Sequence, residues 1–278
     1  MKTSLPLKKL LLRIHFFLAE QLGIDLVKLL LSSRGLHAYI LDLYKFTRKY
    51  NGALALNPCF GDRYKEGGEV KSEYFWQDLL VARKIFRAHP EKHVDVGSRI
   101  DGFVAHIASF RDIEVFDIRP VDVSIPGVLF RQADLMADDF LSIDLSVKAG
   151  YCDSLSCLHA IEHFGLGRYG DPIDPNGYLR GIKNLCKLLQ EGGILYLATP
   201  IGKQRVEFNA NWVFDPLTIV NAALAGGLVL DELIVLDQRG GSKTIHKPMA
   251  VDFKTLATEV YRLGIFCFRK AESQVFVR

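Results

Sequence analysis

The chain has 278 residues, 49% of them hydrophobic and 24% charged, and a formal net charge of +3 at pH 7. That length suffices for one large domain with a small extension and a substantial core. The charge is too small, and Lys and Arg too scattered after Lys49, to build a nucleic-acid surface.

In chain order, residues 1–72 read as a helical extension and linker, and 73–278 as the main domain. Lys8-Lys9 precede a leucine run that Arg13 and His15 interrupt, and no A-x-A-like cleavage site follows. No stretch reaches the roughly 18 uninterrupted apolar residues of a membrane span. Apolar residues at helical spacing predict an amphipathic helix over 5–31, which packs on the domain or meets a membrane surface or a protein partner. Ser32-Ser33-Arg34-Gly35 reads as a break between helices, and 51–72 as an irregular link. A helix over 74–88 ends at His89-Pro90, because the residue before a proline avoids the helical region.

Strands over 93–97, 113–118, 127–132, 151–158, 193–198, 228–236 and 265–269 then alternate with helices over 103–110, 178–189, 216–225 and 253–263. Such alternation implies an α/β fold with a mostly parallel sheet covered on both faces, its ligands at the carboxyl ends of the strands. The cysteines Cys59, Cys152, Cys157, Cys186 and Cys267 form no CxxC pair. Three of them sit in apolar runs, which suits buried thiols in a reducing, cytoplasmic compartment, with the N-terminal helix as the means of any attachment at the inner membrane.

Three strand ends carry acids. The first turn, Asp95-Val-Gly97-Ser98-Arg99-Ile-Asp-Gly102, offers Gly97 for a tight exit from the strand and Gly102 for a close helix start. Asp117, with Ile118 after it, closes the second strand, where a carboxylate accepts ribose hydroxyl protons. Asp134-Leu135 follows the third, placed to accept from an exocyclic amine. Together they describe an adenosine site.

This set resembles the class I S-adenosylmethionine-dependent methyltransferases. Asp95 and Gly97, Asp117 and Asp134 fall on that family's first three strand ends, and 152–158 with Glu162-His163 resembles the fourth strand and the Glu-His after it. Residues 192–200, 225–230 and 265–269 resemble its later strands, so the resemblance runs over about 74–270. It implies a Rossmann-like sandwich, a seven-stranded, mostly parallel sheet with an antiparallel last strand, and S-adenosylmethionine as cofactor. It also implies contacts to the cofactor from Asp95, Gly97, Ser98, Arg99, Gly102, Asp117, Ile118, Asp134, Leu135 and Leu158. Arg99 and Asp101 stand where the family has its second and third glycines, and Arg99 reads as a partner for a ligand carboxylate. More narrowly, 93–103, 158–175 and Phe208-Asn209-Ala210 resemble a bacterial family called domain of unknown function 268, associated with surface polysaccharide synthesis.

His159, Glu162 and His163 are the candidate catalytic residues, as general bases for an oxygen acceptor. The same stretch fits H-x-x-E-H, a zinc-hydrolase signature that needs one continuous helix. Residues 164–177, with Arg168 and Tyr169, read as a lid gripping an acceptor, and Arg205 and Asn209 as sugar-directed polar groups. Gly240–Thr244 lacks phosphate-loop spacing and reads as a mobile connection. The leading expectation is a methyltransferase for a small-molecule or glycan hydroxyl; the alternatives are a non-catalytic scaffold of the same fold and, third, the zinc hydrolase.

Overall fold

The computed structural model describes residues 7–64, 67, 70, 72–138, 140, 147–237 and 240–272, the side chains of 7–9 and 13 excepted. The chain divides into two units, Met1–Glu69 and Val70–Arg278.

In the first unit, α1 (Leu7–Leu22) and α2 (Leu26–Thr47) turn about Gly23, whose φ of 69° suits glycine. Asp25 caps α2 by accepting the Lys28 N–H at 2.8 Å. Residues 5 and 6 of the expected amphipathic stretch lie outside the described residues. The break expected at 32–35 is absent, for α2 runs straight through it. Gly35 serves close approach instead: a Cβ there would lie 1.8 Å from the Phe60 carbonyl oxygen. The described part of the link is irregular apart from a 3-10 turn at Asp62–Tyr64.

The second unit is built on one eight-stranded sheet. Its strands are β1 (His93–Val96), β2 (Ile113–Asp117), β3 (Val128–Gln132), β4 (Cys152–Leu158), β5 (Leu189–Ile201), β8 (Leu228–Leu236), β9 (Ser242–His246) and β10 (Arg262–Lys270). Their order is β3-β2-β1-β4-β5-β10-β8-β9. The first five are parallel neighbours, β10 runs antiparallel between β5 and β8, and β9 is antiparallel to β8. A separate ribbon pairs β6 (Arg205–Glu207) with β7 (Asn211–Val213). The fold is thus the expected Rossmann-like α/β sandwich, with one strand more than the expected seven. The addition is β9, which overlaps the Gly240–Thr244 stretch read as a mobile connection. It is short and polar, with Ile245 alone packed on the core, so it lacks the apolar alternation that marks a strand.

On one face of the sheet pack α3 (Glu73–Ala88) and α4 (Ala105–Ala108), whose Ile85, Ile107 and the nearby Phe103 meet Ile265 of β10. On the other pack α5 (Gly177–Leu188), α6 (Pro216–Ala225) and α7 (Ala250–Leu256), whose Leu185, Ile219 and Phe253 meet Phe266. Adjacent residues of β10 therefore serve opposite cores, as pleating requires. Each fully buried side chain of this size contributes about 1.5–3 kcal/mol. Ser72 caps α3, accepting Tyr74 N–H at 3.2 Å, and α6 starts with Asp215 as cap and Pro216 at its first position. Two helices differ from expectation. The one expected over 103–110 opens early as a π turn at Ile100–Val104, and the one expected over 253–263 is shorter and earlier. There Asp252 reaches back to the Met249 N–H at 2.9 Å, starting α7 sooner, and Leu263 and Gly264 are already in β10.

A buried polar chain crosses β1 and β4. The Ser156 hydroxyl donates to Asp95 Oδ1 at 2.5 Å and lies 3.2 Å from His93 Nε2. Since that hydroxyl proton goes to Asp95, the Ser156 oxygen accepts from His93 Nε2–H, and Nδ1 accepts from the Ser154 hydroxyl at 2.8 Å. Burial, aided by Arg111, pushes the His93 pKa down to about 3. The folded chain holds His93 neutral, whereas the unfolded chain protonates it near pH 6.5, so its contribution is present above that pH and lost as pH falls. The unfolding free energy of the native chain, measured against His93→Gln, is expected to decline by about 1.4 kcal/mol per pH unit at most between pH 6.5 and 5. Parallel curves in denaturant titrations at several pH values would contradict a neutral His93.

Candidate functional site

At the carboxyl ends of β1 to β4 lies a cavity of about 340 Å³, with walls from Val96, Gly97, Arg99, Phe116–Arg119, Ala133–Met136, His159, Ala160, His163, Phe164, Arg168, Tyr169, Asp171 and Tyr74. This is where a parallel sheet of this kind presents its ligand site. Of the expected residues, Gly97, Arg99, Asp117, Ile118, Asp134, Leu135, His159, His163, Arg168 and Tyr169 share this one cavity.

The others do not face it. Asp95 and Ser98 are buried behind the turn. Asp95 accepts the Ser98 hydroxyl at 2.6 Å and backbone N–H at 3.0 Å, and the Ser98 oxygen in turn accepts the Leu158 N–H at 3.1 Å. These three residues tie the β1 turn to the end of β4. Burial, opposed by the hydrogen bonds from Ser156 and Ser98, raises Asp95 to about 6. Gly97 itself has φ 70°, and a Cβ there would sit 2.9 Å from that of Ala160. Gly102 is a glycine because α3 is close: a Cβ would meet Asp78 Oδ2 at 2.6 Å. Arg205 is turned to Glu207 at 2.9 Å and the Val260 carbonyl at 2.7 Å, and Asn209 is exposed outside the cavity wall. The polar run after β5 is therefore spent on its own ribbon and the neighbouring loop.

The two expected adenosine acids differ in availability. Asp134 Oδ1 accepts the Met136 N–H at 2.8 Å, leaving Oδ2 without a partner among the described residues. Asp117 is gripped by Arg119, whose Nε and Nη2 donate to its two oxygens at 3.0 and 2.7 Å. The Arg119 guanidinium lies 4.3 Å from the Tyr169 ring centre, so it joins the end of β2 to the loop after β4. Arg99 forks in the same way onto Asp101 at 2.7 and 3.0 Å and lies 5.5 Å from the Tyr74 ring.

That loop is buttressed. Asp171 is 8% exposed and accepts the N–H groups of Gly165, Gly167 and Tyr169 at 2.9, 3.1 and 3.1 Å. A Cβ on Gly165, whose φ is 81°, would lie 1.9 Å from the Asp174 carbonyl oxygen.

The three candidate catalytic residues take distinct states. His159 adopts the left-handed region at φ 51°, unusual for histidine, directly after β4. Its Nδ1 lies 2.7 Å from Glu162 Oε1, its ring lies tilted against Tyr74 with centres 4.4 Å apart, and its Nε2 lies 3.7 Å from Glu73 Oε1. Burial alone would lower the His159 pKa, but Glu162 and then Glu73 and Asp78 outweigh it, and the net shift is upward. Burial would raise Glu162, but His159 outweighs it and the carboxyl stays low. They form a buried imidazolium–carboxylate pair, each engaged by the other. His163 is the opposite case. Burial lowers its pKa, against the pull of Glu162. Its Nδ1 lies 2.7 Å from the Ala210 carbonyl oxygen, a contact that requires an N–H there and makes Nε2 the free acceptor. Arg168 shares that carbonyl at 2.9 Å. The helix a zinc pair requires is not formed, since 161–163 make a single 3-10 turn. Among the described residues no group of three His, Cys, Asp or Glu is placed to hold a metal ion.

Replacing Glu162 by Gln removes the partner of a buried cation. The expected loss is about 3–5 kcal/mol in denaturant unfolding; a change below 1 kcal/mol would show that the pair is not ionised.

A family model described as "Caenorhabditis protein of unknown function, DUF268" matches residues 136–227, about a third of the chain. No curated protein matches. Among solved structures, the cyclase SpnF is 14% identical over 70% of this chain and 82% of its own, with a TM-score of 0.49. The 1,6-didemethyltoxoflavin-N1-methyltransferase of Burkholderia thailandensis, with bound S-adenosylhomocysteine, is 13% identical over 85% and 90%, with a TM-score of 0.47. The N-methyltransferase NodS of Bradyrhizobium japonicum WM9, in complex with S-adenosyl-L-homocysteine, is 12% identical over 72% and 89%, with a TM-score of 0.45.

Proposed function

We propose that this chain is an S-adenosylmethionine-dependent methyltransferase acting on a hydroxyl of a small molecule or glycan, with surface polysaccharide synthesis as its setting. The observation that carries the reading is the meeting of Asp117, Asp134 and a neutral, half-anchored His163 in one cavity at the carboxyl ends of β1 to β4. The cavity fits an adenosine. Asp134 Oδ2 is open to an exocyclic amine, Asp117 retains lone pairs for ribose hydroxyls beside Arg119, and Ile118, Leu135 and Met136 supply apolar walls for a base. When bound, S-adenosylmethionine supplies an electrophilic methyl carbon on a sulfonium. The chain's part is to position an acceptor and remove its proton. His163 Nε2 takes the hydroxyl proton, with the ring orientation fixed by Ala210. Arg168 and Tyr169 sit beside it to hold the acceptor, and the Asp171-braced loop excludes water.

A second reading, a non-catalytic binding protein on the same fold, is favoured by one observation: Arg119 already occupies Asp117 in a two-pronged ion pair. Calorimetry with S-adenosylmethionine separates the two. The methyltransferase reading expects binding that Asp134→Asn weakens roughly tenfold. In a cofactor-consumption screen against nucleotide sugars and glycan fragments, His163→Gln is expected to retain binding and lose roughly 10²- to 10⁴-fold in turnover. Because the His163 pKa is lowered, the acid limb of the rate profile should fall below pH 6.5. No heat of binding at high micromolar cofactor would sink the enzyme reading.

A further inference from the structure

The strongest feature outside the cavity is the surface of the first unit. In α1, Leu10, Leu11, Leu12, Phe16 and Phe17 are 45%, 56%, 58%, 67% and 57% exposed. In α2, Leu29, Leu30 and Leu31 are 68%, 70% and 50% exposed, and Ile40 and Tyr44 are 54% and 60%. Single exposed apolar residues need no explanation, but runs of three consecutive exposed leucines on each of two successive helices do. One side of α2 is already covered: Gly35 and Tyr39 pack against the extended stretch that ends in Phe60. Leu29, Leu30, Ile40 and Tyr44 lie on the opposite arc, while Leu31, one turn before Gly35, shares its side of the helix and is still half exposed.

The pattern decides what kind of partner fits. Leu10, Leu11 and Leu12 are consecutive, as are Leu29, Leu30 and Leu31. At 3.6 residues per turn, each triplet spans about 200° of helix circumference. A partner helix takes a narrow stripe, whereas an apolar medium that wraps the helix takes a wide arc. Among the described residues no helix is long and apolar enough to cross a membrane, so the helices suit lying in a lipid interface and not across it. Charge points the same way. From Lys2 to Lys49 the sequence carries nine Lys or Arg against three Asp or Glu, a surplus of six in a chain whose total is +3. Lys28, Arg34, Lys45, Arg48 and Lys49 are all exposed.

We infer that α1 and α2 form a monotopic anchor that lays its leucines and phenylalanines into the surface of an anionic lipid bilayer, with the basic residues meeting the head groups. The helices, about 24 and 33 Å long by their 16 and 22 residues, give the anchor its footprint. The cavity unit is then held at a membrane, whatever chemistry it performs.

Flotation of the full chain with vesicles tests this. It is expected to float with vesicles of equal parts phosphatidylglycerol and phosphatidylcholine, and far less with phosphatidylcholine alone. Raising NaCl to about 0.5 M should reduce the bound fraction. Lys28→Gln with Arg34→Gln, which leave the apolar surface intact, should weaken binding roughly fivefold per cation. Phe16→Asp with Leu30→Asp should abolish flotation while cooperative unfolding of the chain is retained. Failure of the unaltered chain to float with anionic vesicles overturns the inference. So does light scattering that shows a dimer which Phe16→Asp with Leu30→Asp turns into a monomer, without flotation, because the surface would then be a protein interface.

Discussion

The Asp95 carboxylate is the tie on which the cavity depends. It holds both the backbone and the hydroxyl of Ser98, and through that hydroxyl the Leu158 N–H. One wall of the cavity begins at Gly97 and Arg99, just after β1, and the facing wall at His159, just after β4. Asp95 fixes their separation from beneath. A buried carboxylate with three hydrogen-bond donors around it tolerates little displacement, since any donor that leaves exposes the cost of burying the charge. The residue that looks most like a ligand contact by position is therefore a brace for two loops that make contacts.

The same logic divides the histidines. His159 and His163 stand four residues apart at one strand end, yet the protein makes one a cation and keeps the other neutral. His159 is enclosed by Glu162, Glu73 and Tyr74, and its charge is matched on the spot. His163 is also buried, but its anchoring group is a carbonyl and its neighbour is Arg168, neither of which favours a second positive charge as strongly as a carboxylate would. Pairs of titratable groups whose surroundings push them in opposite directions are a mark of functional sites.

Much of the architecture was legible in the sequence. The alternation of apolar runs matches the order of strands and helices around β1 to β5, and the strand-end acids Asp117 and Asp134 line one cavity. What escaped was what depends on partners distant in the chain. β9 is stabilised by β8 and carries little pattern of its own. Gly35 and Gly102 look like a helix break and a ligand approach, but each is small because a remote segment passes close by. Tyr74 reaches the cavity from α3, with no sequence signal to say so. Arg119 did carry a signal, two residues after Asp117 at a spacing that permits a fork, and it changes the meaning of that acid. Arg205 shows the converse: a polar residue in a promising run, drawn off by Glu207 and the Val260 carbonyl.

Arg119 also bridges the two halves of the cavity, forked to Asp117 on one side and stacked on Tyr169 on the other. A ligand group that drew on the Asp117 oxygens held by the fork would act on the guanidinium as well, and through it on the Tyr169 ring. The loop beside His163 is thereby tied to the end of β2. Two ligands occupying the two halves would then be linked reciprocally, each altering the affinity of the other by the same factor. A preferred order of arrival would follow from one side chain.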